Sequence, residues 1–195
     1  MQRLDAEQDD QSIADAAKNF NRLEHVLLQN RTLTLFGEIN QDVARRMAEK
    51  LLALAFESDD PITLYIGSPG GHGESGDTIF DLIRYIKPEV RIIGTGWVGS
   101  IATHIYLAAD KDNRFALPNT RFLIHQPSGG FGGDAADIEI HAREILKTRE
   151  RINGIIAERT GQSIDRVGED TQRDYWMIAE ESVQYGLVGK IISDI

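Results

Sequence analysis

Three residues able to perform acyl-transfer chemistry stand in this chain, each inside a short stretch of its own. They are Ser100 in Gly-Trp-Val-Gly-Ser-Ile-Ala (96–102), His125 in Arg-Phe-Leu-Ile-His-Gln-Pro (121–127) and Asp174 in Asp-Thr-Gln-Arg-Asp (170–174). A serine hydroxyl attacks a carbonyl carbon well only when a base takes its proton. An imidazole is such a base when a carboxylate fixes its tautomer. If the fold brings the three together, the chain holds the parts of a serine hydrolase.

Taken singly, each residue has a plainer role open to it. Ser100 follows a strand pattern and Gly96 and Gly99 and precedes a helical one, so taken alone it reads first as an N-cap, a far commoner role for serine than nucleophile. The stretch is not the Gly-x-Ser-x-Gly elbow, because Val98 and Ala102 stand where that motif needs glycine. His25, His72, His104 and His141 compete with His125, and His104, one turn beyond Ser100, is expected to pack. Asp174 closes a charged run in which Asp170 is an equal candidate on composition alone.

Two glycine motifs follow the strand at 62–66. Ser68-Pro-Gly-Gly71 reads as a turn whose glycines let main-chain N–H groups face a developing oxyanion. Gly71-His-Gly-Glu-Ser-Gly76 matches a dinucleotide fingerprint, but the acid expected about 20 residues on is replaced by Gly94-Thr-Gly96. No His-Glu-x-x-His pattern exists, and no metal site is expected.

The elements that must carry these residues follow from periodicity. Leu33–Phe36 reads as a strand broken by Gly37, and 42–57 as a helix with Val43, Met47 and Leu51 on one face. Ile62–Ile66 is a strand, 77–86 a helix stopped before Pro88, and 90–93 a strand. Helix is expected over 100–109, short strands over 115–117 and 122–124, and a long helix over 135–160 stopped by Gly161. Val188–Ile192 offers a last strand. Alternation of this kind predicts an α/β domain with mostly parallel pairing.

The long helix has no place in the main layers and reads as an oligomerisation arm. Residues 1–30 read as a separate N-terminal segment, its first 20 polar and acidic, either frayed or a short helix needing a partner surface. Residues 31–195 form one domain, in keeping with about 100–200 residues per domain.

Composition removes several classes. A net charge of −10 opposes a nucleic-acid surface. No apolar run reaches the roughly 18 residues of a membrane span, and the acidic start is not a signal peptide. With no cysteine there is no thiol nucleophile or disulfide. The expected location is cytoplasmic.

Beyond these readings, five segments in order resemble the ClpP family, the proteolytic subunits of ATP-dependent Clp proteases. They are Tyr65–Gly71, Gly96–Ala102, Arg114–Pro127, Asp137–Lys147 and Tyr185-Gly-Leu-Val. The resemblance runs from about residue 31 to the C-terminus. It implies a repeated β-β-α superhelix of the ClpP/crotonase kind with a protruding handle helix and strand, the handle covering about 128–160. It implies Ser100 as nucleophile, His125 as base and Asp174, rather than Asp170, as orienting acid. Main-chain N–H groups of Gly71 and Ile101 would form the oxyanion hole, and Gly129, Gly130, Phe131 and Gly132 would pair with the substrate chain.

The same resemblance implies polypeptide substrates and a homo-oligomer of two stacked seven-membered rings, alone or mixed with a paralogous subunit. ATP would be used by a partner Clp-type AAA+ unfoldase, with no cofactor in this subunit. The chain departs from the family's usual residues at Thr63, Gly67, Trp97, Val98 and Gln172. Two alternatives remain: a ring subunit whose activity depends on a partner, and a crotonase-like acyl-CoA enzyme on the same fold.

Overall fold

A computed structural model describes residues 22–130 and 132–194. Residues 22–29 form a helix, α1, so the N-terminal segment is in part ordered, with Leu28 packed on the core. Residues 1–21, expected as frayed or helical, lie outside the described residues. Then follow β1 (Thr32–Ile39), α2 (Gln41–Glu57), β2 (Ile62–Gly71), α3 (Gly73–Tyr85), β3 (Val90–Gly99) and α4 (Ile101–Tyr106). After a short 3-10 turn come β4 (Arg114–Ala116), β5 (Arg121–Ile124), α5 (Ala135–Thr160), α6 (Ile164–Asp170), β6 (Tyr175–Ile178), α7 (Ala179–Tyr185) and β7 (Lys190–Ile191).

The seven strands form one sheet in the order β1-β2-β3-β4-β7, all parallel, with β5 branching from β3 and β6 antiparallel to β5. Parallel strands need covered faces. Accordingly Ile62, Leu64 and Ile66 of β2 and Ile92 of β3 are fully buried, and α2, α3 and α4 pack on one another beside them. The α/β expectation holds.

Several local expectations are corrected. Gly37 does not end β1, which passes through it with a register shift between Phe36 and Glu38. Residues 68–71 are not a turn but the end of β2, because β1 keeps pairing as far as Ile39 opposite Gly71. Helix α3 starts at Gly73 rather than 77, since His72 caps it by accepting from Ser75 N. Strand β3 runs on to Gly99, and α4 is shorter than 100–109.

Helix α5 keeps its expected span. Asp134 caps its start by accepting from the N–H groups of Ala136 and Asp137, and Gly161 in the left-handed region ends it. Only Asn153 and Ile156 on it are buried, whereas Ile138, Ile140 and Leu146 are exposed, so its first half projects from the body. Among the described residues of 128–134, the strand part of the expected handle, none is in a strand, since strand pairing needs a second strand to hydrogen-bond.

Candidate active site

Strand β5 draws the three residues together. Its parallel register with β3 sets Gly99 opposite Leu123, which brings Ser100, the next residue, beside the end of β5. Its antiparallel register with β6 sets Ile124 opposite Tyr175. His125 and Asp174 are the next positions on each side, so they face each other across the strand ends. Ser100 Oγ lies 2.7 Å from His125 Nε2, and His125 Nδ1 lies 3.2 Å from Asp174 Oδ1.

Ser100 does not act as a side-chain cap, although it precedes α4. Its backbone has φ 56° and ψ −127°, a region that side-chain-bearing residues seldom adopt. The hydroxyl is turned to His125 instead. Asp170, the alternative acid, is engaged elsewhere: its Oδ2 accepts from Tyr185 Oη at 2.9 Å and lies 3.5 Å from Arg166 Nε. Burial and the Asp170 carboxylate together push the Tyr185 phenol upward.

Gly71 and Ile101 border the same cavity as Ser100 and His125, a space of about 640 Å³. Two glycines are required here by backbone shape. Gly70 has φ 103°, and a Cβ on it would stand 2.7 Å from Ser100 Cβ. Gly71 has φ 147°, and a Cβ there would stand 2.3 Å from the Ile39 carbonyl oxygen. Gly129 also lines the cavity, Gly130 and Gly132 are open to space, and Phe131 lies outside the described residues.

The cavity lining also holds residues that sequence reasoning missed. Arg151 of α5 grips Asp77 of α3 with two hydrogen bonds of 2.9 and 2.7 Å. His104 is buried as expected, stacked on Phe80 at 4.3 Å, and its Nε2 lies 3.1 Å from Asp77 Oδ1 without aligned hydrogen-bond geometry. Burial alone would raise the Asp77 pKa, but His104 and Arg151 hold it at about 2, against an ordinary 3.8. The 74 positions between Asp77 and Arg151 left no local pattern by which to pair them.

Trp97, a departure from the family's usual residues, folds over Gly99, where a Cβ would lie 2.5 Å from the indole nitrogen. It packs on Trp176 at 5.5 Å, and Arg121 lies over the Trp176 ring. Val98 is fully buried. Among the described residues no group of three or more His, Asp or Glu is placed to hold a metal ion, and no helix is long and apolar enough to cross a membrane.

The chain is similar to known proteins over most of its length. The family model described as Clp protease matches residues 15–194. The ATP-dependent Clp protease proteolytic subunit 3 of Rhizobium etli is 53% identical over 167 residues, 86% of each chain. Subunit 2 of Pseudomonas aeruginosa is 52% identical over 171 residues, covering 88% of this chain and 85% of its own. The solved structure of ClpP1 from Listeria monocytogenes superposes with a TM-score of 0.81 at 49% identity, over 89% of this chain and 97% of that one. A mutant of the same protein gives 0.83 at 51% identity, over 88% and 96%. With a family match over nearly its full length and relatives at about half identity, this chain belongs to the Clp protease family.

Proposed function

We propose that this chain is a serine endopeptidase subunit that cuts unfolded polypeptides by an acyl-enzyme mechanism. The observation that carries the reading is the Ser100–His125–Asp174 chain of contacts at 2.7 and 3.2 Å. Ser100 Oγ attacks the scissile carbonyl carbon while its proton passes to His125 Nε2. The carbonyl oxygen becomes an oxyanion, stabilised by main-chain N–H groups of Gly71 and Ile101. His125 then protonates the leaving amine, and an acyl ester remains on Ser100. Water, deprotonated by the same imidazole, attacks the ester and restores the hydroxyl. Asp174 accepts from His125 Nδ1–H throughout, fixing the tautomer and stabilising the imidazolium without taking the proton.

The substrate would lie extended along 129–132, a glycine-rich stretch whose composition suits strand addition. The projecting first half of α5, with its exposed Ile138, Ile140 and Leu146, fits contact between rings, and two stacked seven-membered rings are the assembly we infer. Asp174 is 62% exposed in the isolated chain, and enclosure in such a chamber would strengthen its bond to His125 by excluding water. The Rhizobium and Pseudomonas relatives are named ATP-dependent, which supports an AAA+ unfoldase partner that uses the ATP; a subunit without cofactor in a cytoplasmic setting is part of the proposal.

A fluorophosphonate probe tests the reading. Stoichiometric labelling at Ser100, lost in Ser100→Ala together with peptide hydrolysis, is expected. A Ser100→Ala protein that still cleaves peptides would remove Ser100 from the mechanism.

A further inference from the structure

The cavity beside Ser100 is lined in part by a charged pair that peptide-bond chemistry does not need. Asp77 and Arg151 are partly exposed there, their side chains 23% and 46% accessible, and both line the same space as Ser100. His104, which touches Asp77, stands one turn after Ser100 on α4. The pair thus shares one cavity with the nucleophile and its base. Ile101, Ile124, Ile145 and Ile152 supply apolar lining, alongside the polar Glu74, Thr103, Glu144 and Thr148.

A carboxylate has about four acceptor sites and a guanidinium five N–H donors, and this pair uses only two of each on itself. A side chain reaching the pair therefore meets a fixed acceptor beside a fixed donor. A carboxamide matches both, donating its N–H to Asp77 and accepting from Arg151. A carboxylate tip is opposed by Asp77 and an ammonium tip by Arg151. An aliphatic tip strips water from the pair and returns no hydrogen bond.

We propose that Asp77 and Arg151 make this cavity a specificity pocket for the side chain preceding the scissile bond, selective for a long side chain ending in a primary amide, glutamine foremost. The inference rests on the serine-peptidase reading of Ser100.

The test uses fluorogenic peptide amides identical except for Gln, Leu, Glu or Lys before the leaving group. The full chain should cleave the Gln peptide better than the Leu peptide, and about tenfold better in kcat/KM than the Glu and Lys peptides. The double variant Asp77→Leu/Arg151→Leu removes the pair as a unit, so neither charge is left buried alone. In it the Leu peptide should overtake the Gln peptide by about tenfold. A native preference for Leu over Gln, or a Gln-to-Leu ratio unchanged in the double variant, overturns the proposal. If the double variant does not fold, the native series decides alone. A fluorophosphonate has no side chain to read, so it separates the two claims. Labelled Ser100 without a Gln preference defeats the pocket alone, and unlabelled Ser100 with no peptide cut defeats both.

Discussion

The main-chain N–H of Ser100 donates to the carbonyl of Leu123 at 2.9 Å, which ties the start of α4 to the middle of β5. Thr103 Oγ1 lies 3.0 Å from the same oxygen and 3.0 Å from the carbonyl of Val98 on β3. The buried Thr103 hydroxyl thus joins both strands that converge on the nucleophile. Such ties are what hold Ser100 in its strained backbone, a conformation that costs of order 1–3 kcal/mol.

Thr103→Val keeps the shape but removes the donor. We expect a loss of about 1–2 kcal/mol in denaturant unfolding, since a buried carbonyl is left short of a partner. Peptide hydrolysis should fall through kcat rather than KM, because the Ser100–His125 distance loosens. Unchanged stability would show that the hydroxyl is dispensable.

The two acids of the 170–174 run should separate cleanly on substitution. Asp174→Asn, at an exposed position, is expected to leave thermal stability near native while lowering kcat by about 10⁴, as a wrongly held tautomer does. Asp170→Asn should do the reverse, weakening the Tyr185 contact that fastens α6 to α7 and the Arg166 contact within α6, while sparing catalysis. Equal kinetic damage from both would defeat the assignment.

Why the sequence could nominate Asp174 only by family register is now physical. Tyr175–Ile178 is a four-residue strand with no alternation to announce it, following a charged run that looks solvated. Only its pairing with β5 makes Asp174 the neighbour of His125. Ser100 and His125 were legible because strong apolar strands lead into each. The Asp77–Arg151 pair was not, because α3 and α5 meet only through tertiary packing. The 68–71 segment misled for a related reason: its glycines signal a turn locally, while the neighbouring strand keeps them extended.

The Asp77 carboxyl carries a pH signature. Its folded pKa, about 2, lies below the ordinary 3.8, so the unfolded chain takes up the proton first as pH falls. The stabilisation is therefore complete above about pH 4 and lost progressively towards pH 2, and amounts to about 2 kcal/mol. Asp77→Asn should lower stability at neutral pH by about that amount and flatten this part of the pH profile. Urea unfolding at stepped pH measures it, and an unaltered slope between pH 4 and 2 in the variant would count against the ion pair.

Gly71 faces the sharpest steric test. An alanine there would have to hold φ 147° and place its Cβ 2.3 Å from the Ile39 carbonyl oxygen and 2.8 Å from the Ile39 nitrogen. Both are backbone atoms, so no side-chain rotation relieves the clash. Either β1 parts from β2 or the Gly71 peptide turns, and both movements disturb the proposed oxyanion donor. Gly71→Ala should therefore cost more than about 1 kcal/mol in stability. It should also lower kcat about 100-fold, the scale of one lost oxyanion donor. Gly168→Ala in α6 is the control: its Cβ meets nothing within 4 Å, and helix propensity favours alanine. That variant should be as stable as native or more so, and fully active. If Gly71→Ala behaved like Gly168→Ala, the β2 end would not be the rigid rim of the site.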